Sequence, residues 1–209
     1  MPNSYIGINN VARKITNGYI GINNVARKIT KGYIGVNGVA RLIYAAEEPH
    51  QIIDFLDTIA PTSWTEVTAG TKYTASNTYG TWEIEANKYQ SSREAYRAFD
   101  GTTTSFWRPP DMAASEICYI HQLFPVLIKP SIIQVRSTRS ANTKVQLLKQ
   151  DNTWMDVQQL SRTSVGWTEI TCSYNEYFKG MRVYGERSNA SYPYFGVYEF
   201  YVQSGSAII

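Results

Sequence analysis

Planar donors and aromatic rings are concentrated in one short segment near the C-terminus, Glu186–Tyr194. It contains the guanidinium of Arg187, the amide of Asn189 and the phenol rings of Tyr192 and Tyr194. A sugar site needs a flat aromatic ring against the apolar face of the sugar and planar donors for its hydroxyls. We therefore interpret this segment as an end loop that contributes to a candidate sugar site.

Two further segments carry the same kinds of side chain. Tyr79 and Trp82 lie in a segment that we expect to approach the same end of the domain, and Arg108 follows Trp107 directly. For each residue, ordinary packing or a solvated loop is the competing interpretation. We expect Trp107 itself to be a core residue.

Catalytic motifs are absent from the sequence. The two histidines, His50 and His121, are far apart, and there is no nucleophile elbow, phosphate-binding loop or metal-ligand spacing. Cys118 and Cys172 lie in strand-like runs, where two buried thiols are expected rather than a disulfide framework. We expect no enzyme, although a pair of carboxylates that meet only in space stays open as an alternative.

Length and composition allow one hydrophobic core and a smaller appendage. The chain has 209 residues, of which 43% are hydrophobic and 13% aromatic. It contains no apolar run near the roughly 18 residues that span a bilayer, so we expect no membrane insertion. The first residues lack a basic stretch followed by an apolar one, so we expect that the chain has no signal peptide. We therefore expect it to be assembled in a cytoplasm.

The appendage is a repeat with a period of 14 residues, which begins at Tyr5 and recurs at Tyr19 and, more loosely, at Tyr33. Pairs such as Asn9-Asn10 and Asn37-Gly38 tolerate the backbone of a two-residue hairpin turn. Such turns pair Ile8 with Val11, Ile6 with Arg13 and, across the next turn, Ile15 with Ile20. We predict an amphipathic β-hairpin meander over residues 1–44, which needs a partner because its edges and apolar face are open.

Charge separates this arm from the rest of the chain. Residues 1–44 contain six basic residues and no acidic one, which leaves 14 basic and 17 acidic residues elsewhere. A basic arm fits an acidic protein surface, other copies of itself or nucleic acid. We favour protein over nucleic acid, because no aromatic platform or recognition helix accompanies the charges. The prediction therefore includes a homo-oligomer.

The remainder is predicted as a linker followed by a sandwich. Ile52, Phe55, Leu56 and Ile59 recur at helical spacing, which predicts a short helix in a linker over residues 45–63. From 64 to 209, short β-type runs alternate with polar turns, which indicates an all-β sandwich. An edge position of the repeats in this domain is the alternative to a separate arm.

An ordered set of motifs in this body resembles the discoidin, or coagulation factor type C, family of galactose-binding-like domains. The set comprises Ser91–Trp107 with its Ala-Phe-Asp-Gly turn, Tyr119–Phe124, Trp154–Val157, Phe178–Tyr184 and Val197–Val202. The resemblance implies a jelly-roll β-sandwich and carbohydrate binding. It also implies a structural calcium held by Asp100, Ser105 and Glu199, although Thr102 and Thr103 stand where a further acid is usual.

The repeats carry a second resemblance, to the N-terminal repeats of structural proteins of bacteriophages and prophages. The units at Tyr5, Tyr19 and Tyr33 match it closely. The resemblance implies a virion protein of a tail, baseplate or capsid, anchored to other virion proteins through residues 1–44. Its sandwich is then expected to bind a host cell-surface glycan, and a purely structural decoration protein without glycan binding is the alternative.

Overall fold

A computed structural model describes residues 51–113, 116–138, 140–162, 164–186 and 195–209, with only the backbone at 140–142, 162 and 186. In the N-terminal part it describes the backbone of six strands. The chain divides into two compact units, Met1–His50 and Gln51–Ile209. No helix among the described residues is long and apolar enough to cross a membrane.

The first unit contains three antiparallel hairpins. They are β1 (Tyr5–Ile8) with β2 (Val11–Lys14), β3 (Gly18–Ile22) with β4 (Val25–Ile29), and β5 (Lys31–Val36) with β6 (Val39–Ala45). The predicted pairs of Ile8 with Val11 and of Ile6 with Arg13 are confirmed. The predicted partner of Ile20, Ile15, lies outside the described residues. Each 14-residue repeat therefore corresponds to one hairpin.

The second unit is an antiparallel sheet of ten strands. They are β7 (Ile52–Phe55), β8 (Thr65–Thr68), β9 (Lys72–Asn77), β10 (Gly80–Ala86), β11 (Ile117–Ser137), β12 (Ser140–Leu148), β13 (Trp154–Arg162), β14 (Gly166–Thr171), β15 (Phe178–Glu186) and β16 (Val197–Ile208). One turn of 3-10 helix, Ala95–Ala98, lies between β10 and β11.

Strand β11 joins the two layers of a β-sandwich. Its first half pairs with β10 and β15, and its second half pairs with β14 and β16. Its register shifts between Leu123 and Ile128. One layer therefore has the order β13-β12-β15-β11-β10-β9-β8, and the other has the order β14-β11-β16-β7. The predicted all-β sandwich is confirmed.

The predicted linker helix is wrong, because Ile52–Phe55 forms strand β7. It pairs with the end of β16, where Ile52 lies opposite Ile208 and Phe55 opposite Gly205. Phe55 is 8% exposed, whereas Leu56 is 84% exposed. Ile53 and Phe55 fit the period of two of a strand, and the open edge of β16 favours the strand over the helix. The second unit consequently begins at Gln51 rather than at residue 64.

The core lies between the two layers and follows the alternation of the strands. In β10, Trp82, Ile84 and Ala86 are buried and their neighbours are not. Trp107 is fully buried, as expected from the sequence, and its indole N–H donates to the Lys88 carbonyl at 2.9 Å. Cys118 and Cys172 are unpaired thiols.

Candidate functional site

Trp82 is a core residue and cannot stack on a sugar. It is 1% exposed, and its ring meets Phe124 edge-on with centroids 5.7 Å apart. Its indole N–H donates to Asn77 Oδ1 at 3.1 Å. The prediction of a ligand-binding role for Trp82 is therefore wrong. The period-two alternation of β10 points the side chain inward.

Tyr79 lies in the turn between β9 and β10, where its backbone N–H donates to Asn77 Oδ1 at 2.9 Å. The side-chain amide of Asn77 donates in turn to the Ile59 carbonyl at 2.8 Å. The loop that Tyr79 was predicted to approach, residues 187–194, lies outside the described residues. The approach of the two segments therefore stays a prediction.

The remaining predicted sugar-binding residues have different outcomes. Arg187, Asn189, Tyr192 and Tyr194 lie outside the described residues. The guanidinium of Arg108 donates to Asp111 Oδ1 at 2.6 Å and its side chain is 20% exposed. Arg108 thus forms an ion pair with Asp111 of its own loop. Its predicted role in binding a sugar stays a prediction.

The Asp100–Gly101 turn is held by hydrogen bonds to the Asp100 carboxylate. Oδ1 accepts from the backbone N–H of Thr102 at 2.9 Å and from its hydroxyl at 2.8 Å. Oδ2 accepts from the Ser105 hydroxyl at 2.6 Å. Gly101 has a φ of +73°, which a residue with a side chain rarely adopts. The turn thus presents an ordered group of oxygen atoms.

Glu199 of β16 is a buried carboxyl group close to this turn, and its pKa is raised. It is 4% exposed, and its Oε1 atom has no hydrogen-bond partner among the described protein groups. Burial, followed by the nearby charge of Asp100, raises the pKa of Glu199 from 4.5 to about 8. The guanidinium of Arg136, which donates to the Thr103 carbonyl at 2.6 Å, partly opposes this shift. Near neutral pH the carboxyl is therefore largely protonated.

Beside Glu199 lies a cavity of about 270 Å³. Its wall is largely apolar and includes Phe99, Trp167 and Tyr201. Trp167 is 42% exposed and meets Tyr201 edge-on with ring centroids 6.0 Å apart. Residues 58–62 and the Asp100–Gly101 turn complete the wall. The volume is just below the ~300–1,000 Å³ of pockets for drug-sized ligands, so it suits one small ligand.

A second residue with an unpartnered buried polar atom, Gln122, also lines this cavity. Gln122 is 1% exposed, and its Nε2 donor has no hydrogen-bond partner among the described groups. A buried amide without a partner costs roughly 1–3 kcal/mol. Our sequence analysis missed Gln122, although a signal exists: it occupies an inward position in the alternating run that also buries Cys118 and Ile120. The cavity therefore offers both a donor and a carboxyl group to a ligand.

The three residues predicted to hold calcium bring oxygen atoms to one place. Asp100, Ser105 and Glu199 come together, as Asp100 raises the pKa of Glu199 and accepts from Ser105. Among the described residues, no three side chains of His, Cys, Asp or Glu converge. A calcium ion would therefore rely on two carboxyl groups together with hydroxyl and carbonyl oxygens. Its charge would offset the buried carboxylate of Glu199.

Comparison with known proteins gave structural likenesses alone. No protein-family model matches the chain. No curated protein matches it either. It is similar to chitosan-binding module 1 of a chitosanase/glucanase from Paenibacillus sp. IK-5, with 20% identity over 60% of this chain and 92% of that one, at a TM-score of 0.46.

Two Clostridium perfringens modules give likenesses of the same order. The family 32 carbohydrate-binding module of NanJ, in complex with galactose, is 8% identical over 65% of this chain and 98% of that one, with a TM-score of 0.48. The fourth family 32 module of a family 89 glycoside hydrolase, in complex with GlcNAc-α-1,4-galactose, is 12% identical over 69% and 96%, with a TM-score of 0.46.

Proposed function

We propose that the β-sandwich binds carbohydrate and that the cavity beside the Asp100–Gly101 turn holds one sugar residue. The observation that supports this proposal is that Gln122 and Glu199 line the same cavity and that each has a buried polar atom, Nε2 and Oε1 respectively, without a partner among the described groups. A sugar hydroxyl both accepts and donates, so it can satisfy each of them. The exposed ring of Trp167 supplies a surface for the apolar face of the sugar.

The arrangement favours binding over hydrolysis. Glycosidases keep their two carboxyl groups at least ~5 Å apart, so that a sugar and water fit between them. Asp100 lies within hydrogen-bonding reach of Glu199. These two groups share a proton or a cation more readily than they flank a glycosidic bond. We infer a binding role, with calcium as a structural component held by Asp100, Ser105 and Glu199.

Replacing Trp167 by alanine is expected to weaken glycan binding about tenfold or more. The reason is the loss of the exposed ring that covers the sugar, while a half-exposed side chain contributes little to folding. The measurement is binding of the full chain to a glycan array, followed by titration calorimetry with the best glycan found. Val165→Ala is the matched control, since Val165 is 45% exposed and is not among the residues that line the cavity. Equal affinity of Trp167→Ala and the wild type would remove the cavity from the proposal.

We further propose that the chain is a virion protein, assembled in the host cytoplasm, whose hairpin arm anchors it to other virion proteins or to copies of itself. Three features of residues 1–45 support this proposal. One hairpin is repeated at a period of 14 residues, its strand edges are open, and the segment contains six basic residues and no acidic one. Several copies on one particle would strengthen a weak glycan site through avidity. A decoration protein without glycan binding is the alternative, and the glycan array separates the two.

Deleting residues 1–50 is expected to convert an oligomer into a monomer. The deletion ends before β7, so it leaves the pairing of Ile52–Phe55 with β16 intact. The measurement is light scattering after gel filtration at micromolar concentration, with the full chain alongside. If both proteins are monomers, self-association through the arm is wrong and docking to a different virion protein remains.

A further inference from the structure

A second concentration of planar side chains lies on the outer face of the layer that contains β11, β12, β13 and β15. The register places His121, Arg182 and Gln146 side by side, and likewise Tyr119, Tyr184 and Lys144. The residues between them in sequence, such as Ile120, Val183 and Val145, are fully buried in the core. Since side chains alternate along a strand, the planar groups stand on the solvent side.

Arg182 is the centre of this face. Its Cζ atom lies 4.2 Å from the ring centroid of Trp154 and 5.0 Å from that of Tyr184. Its Nε donates to Gln146 Oε1 at 2.6 Å, and Gln146 in turn donates to Asp156. Because a guanidinium stacked on an indole restrains both groups, Trp154 is a preorganised platform.

A concave surface of about 500 Å³ lies between β12, β13 and β15 and begins at Asp156, two residues along β13 from Trp154. Its lining includes Lys144, Asp156, Gln158, Gln159 and Tyr184. Lys144 Nζ donates to Asp156 Oδ2 at 2.7 Å, and both glutamines are exposed. The groove thus combines amide, ammonium and carboxylate groups, which can donate to and accept from many hydroxyls.

The charges and the polarity of this face select among ligand classes. Among the residues whose side chains are described, Ile117 at the end of β11 is the one large apolar side chain exposed on this face, so that part of the face lacks the apolar patch of a stable protein interface. Within the groove, the carboxylate of Asp156 is balanced by the ammonium of Lys144. Burial lowers the pKa of His121, which keeps its imidazole neutral at neutral pH. A flat ring beside a polar groove of balanced charge fits a neutral saccharide.

We propose that this face is a second saccharide-binding surface, in which a neutral oligosaccharide chain lies on Trp154 and extends along the groove past Asp156, Gln158 and Gln159. This inference rests on the proposed function only in that both sites take a carbohydrate as ligand. Trp167 and Tyr201, which line the cavity, belong to the other layer of the sandwich. The longer groove suits several sugar residues, whereas the cavity suits one. Two sites on one chain would multiply the avidity of each copy.

The test is titration calorimetry of the full chain with neutral hexasaccharides of glucose, galactose and N-acetylglucosamine, and with the corresponding monosaccharides. We expect Trp154→Ala to weaken binding of a hexasaccharide about tenfold and to leave monosaccharide binding unchanged. Gln158→Ala, at an exposed position, should weaken it in the same direction and serves if Trp154→Ala unfolds. Glu85→Ala, on the neighbouring strand β10, is the matched control.

The outcomes separate this inference from the proposed function. If Trp154→Ala and Gln158→Ala bind every hexasaccharide as tightly as the wild type while Trp167→Ala does not, the second surface is wrong and the cavity stands. If only the Trp154 and Gln158 variants lose affinity, the second surface stands and the cavity is wrong. If the wild type binds none of the probes and no glycan on the array, both are overturned.

Discussion

The sandwich is expected to lose stability when the pH rises from about 5 to about 9 in the absence of divalent cations. The group responsible is Glu199, whose pKa is raised from 4.5 in the unfolded chain to about 8 in the folded one by burial and by the charge of Asp100. The folded state therefore binds this proton more tightly than the unfolded state does. Its stabilisation is fully present below pH 4.5, declines above it, and is lost once the pH passes about 8.

The expected effect is large for a single carboxyl group. A shift from 4.5 to about 8 corresponds to at most about 5 kcal/mol, at ~1.4 kcal/mol per pH unit. Relaxation and water entry around the charged form reduce this to a few kcal/mol. For a domain of this size, such a loss lowers the Tm by about 10 °C. Calcium bound at Asp100, Ser105 and Glu199 would replace the proton and restore the Tm.

The measurement is thermal unfolding of the full chain at both pH values, with a chelator or with millimolar calcium. Glu199→Gln is the matched control, because a glutamine has nearly the shape of the protonated carboxyl and does not titrate. Its Tm should vary little with pH and should not respond to calcium. A wild type that follows the same pH profile as Glu199→Gln would contradict the assignment. Equal stabilisation of both proteins by calcium would place the ion elsewhere.

The sequence contains the information for most of the sandwich, because each strand alternates between core and solvent. Trp82, Ile84 and Ala86 illustrate this pattern, which can be recognised in the sequence alone. Strand β7 illustrates its limit. Ile52, Phe55 and Leu56 fit a helical period, whereas Ile53 and Phe55 fit the period of two of a strand. Only the free edge at the end of β16 decides between the two. Local pattern cannot report a partner that lies about 150 residues away.

The candidate site was less accessible to sequence reasoning, because the walls of the cavity come from distant segments. Residues 58–62, 99–103, 122, 167 and 199–201 meet only after folding. Asp100, Ser105 and Glu199 were identifiable through a resemblance, whereas Gln122 and Trp167 belong to no motif. Residue type alone also led to a wrong prediction of a ligand-binding tryptophan. Trp82 and Trp167 have the same side chain, but one is buried and the other is exposed. Burial, which the fold determines, separates a structural tryptophan from one that can meet a ligand.

This contrast predicts opposite effects for the same substitution at Trp82 and Trp167. Trp82→Ala removes a side chain that is 1% exposed, together with its bond to Asn77 Oδ1, and should lower the free energy of unfolding by about 3–5 kcal/mol. Trp167→Ala removes a ring that is 42% exposed and should change it by at most about 1 kcal/mol. The measurement is chemical denaturation of both variants, combined with glycan affinity per folded molecule.

The predicted combination is a destabilised Trp82→Ala protein that binds glycan as the wild type does and a stable Trp167→Ala protein that binds it about tenfold less tightly. Trp82→Phe is the control for volume, since phenylalanine refills most of the space beside Phe124 and should recover most of the lost stability. The reverse pattern, a stable Trp82→Ala protein without glycan affinity, would return Trp82 to the ligand site. Such a result would require the ring to leave the core, at a cost that the packing between β10 and β11 makes prohibitive.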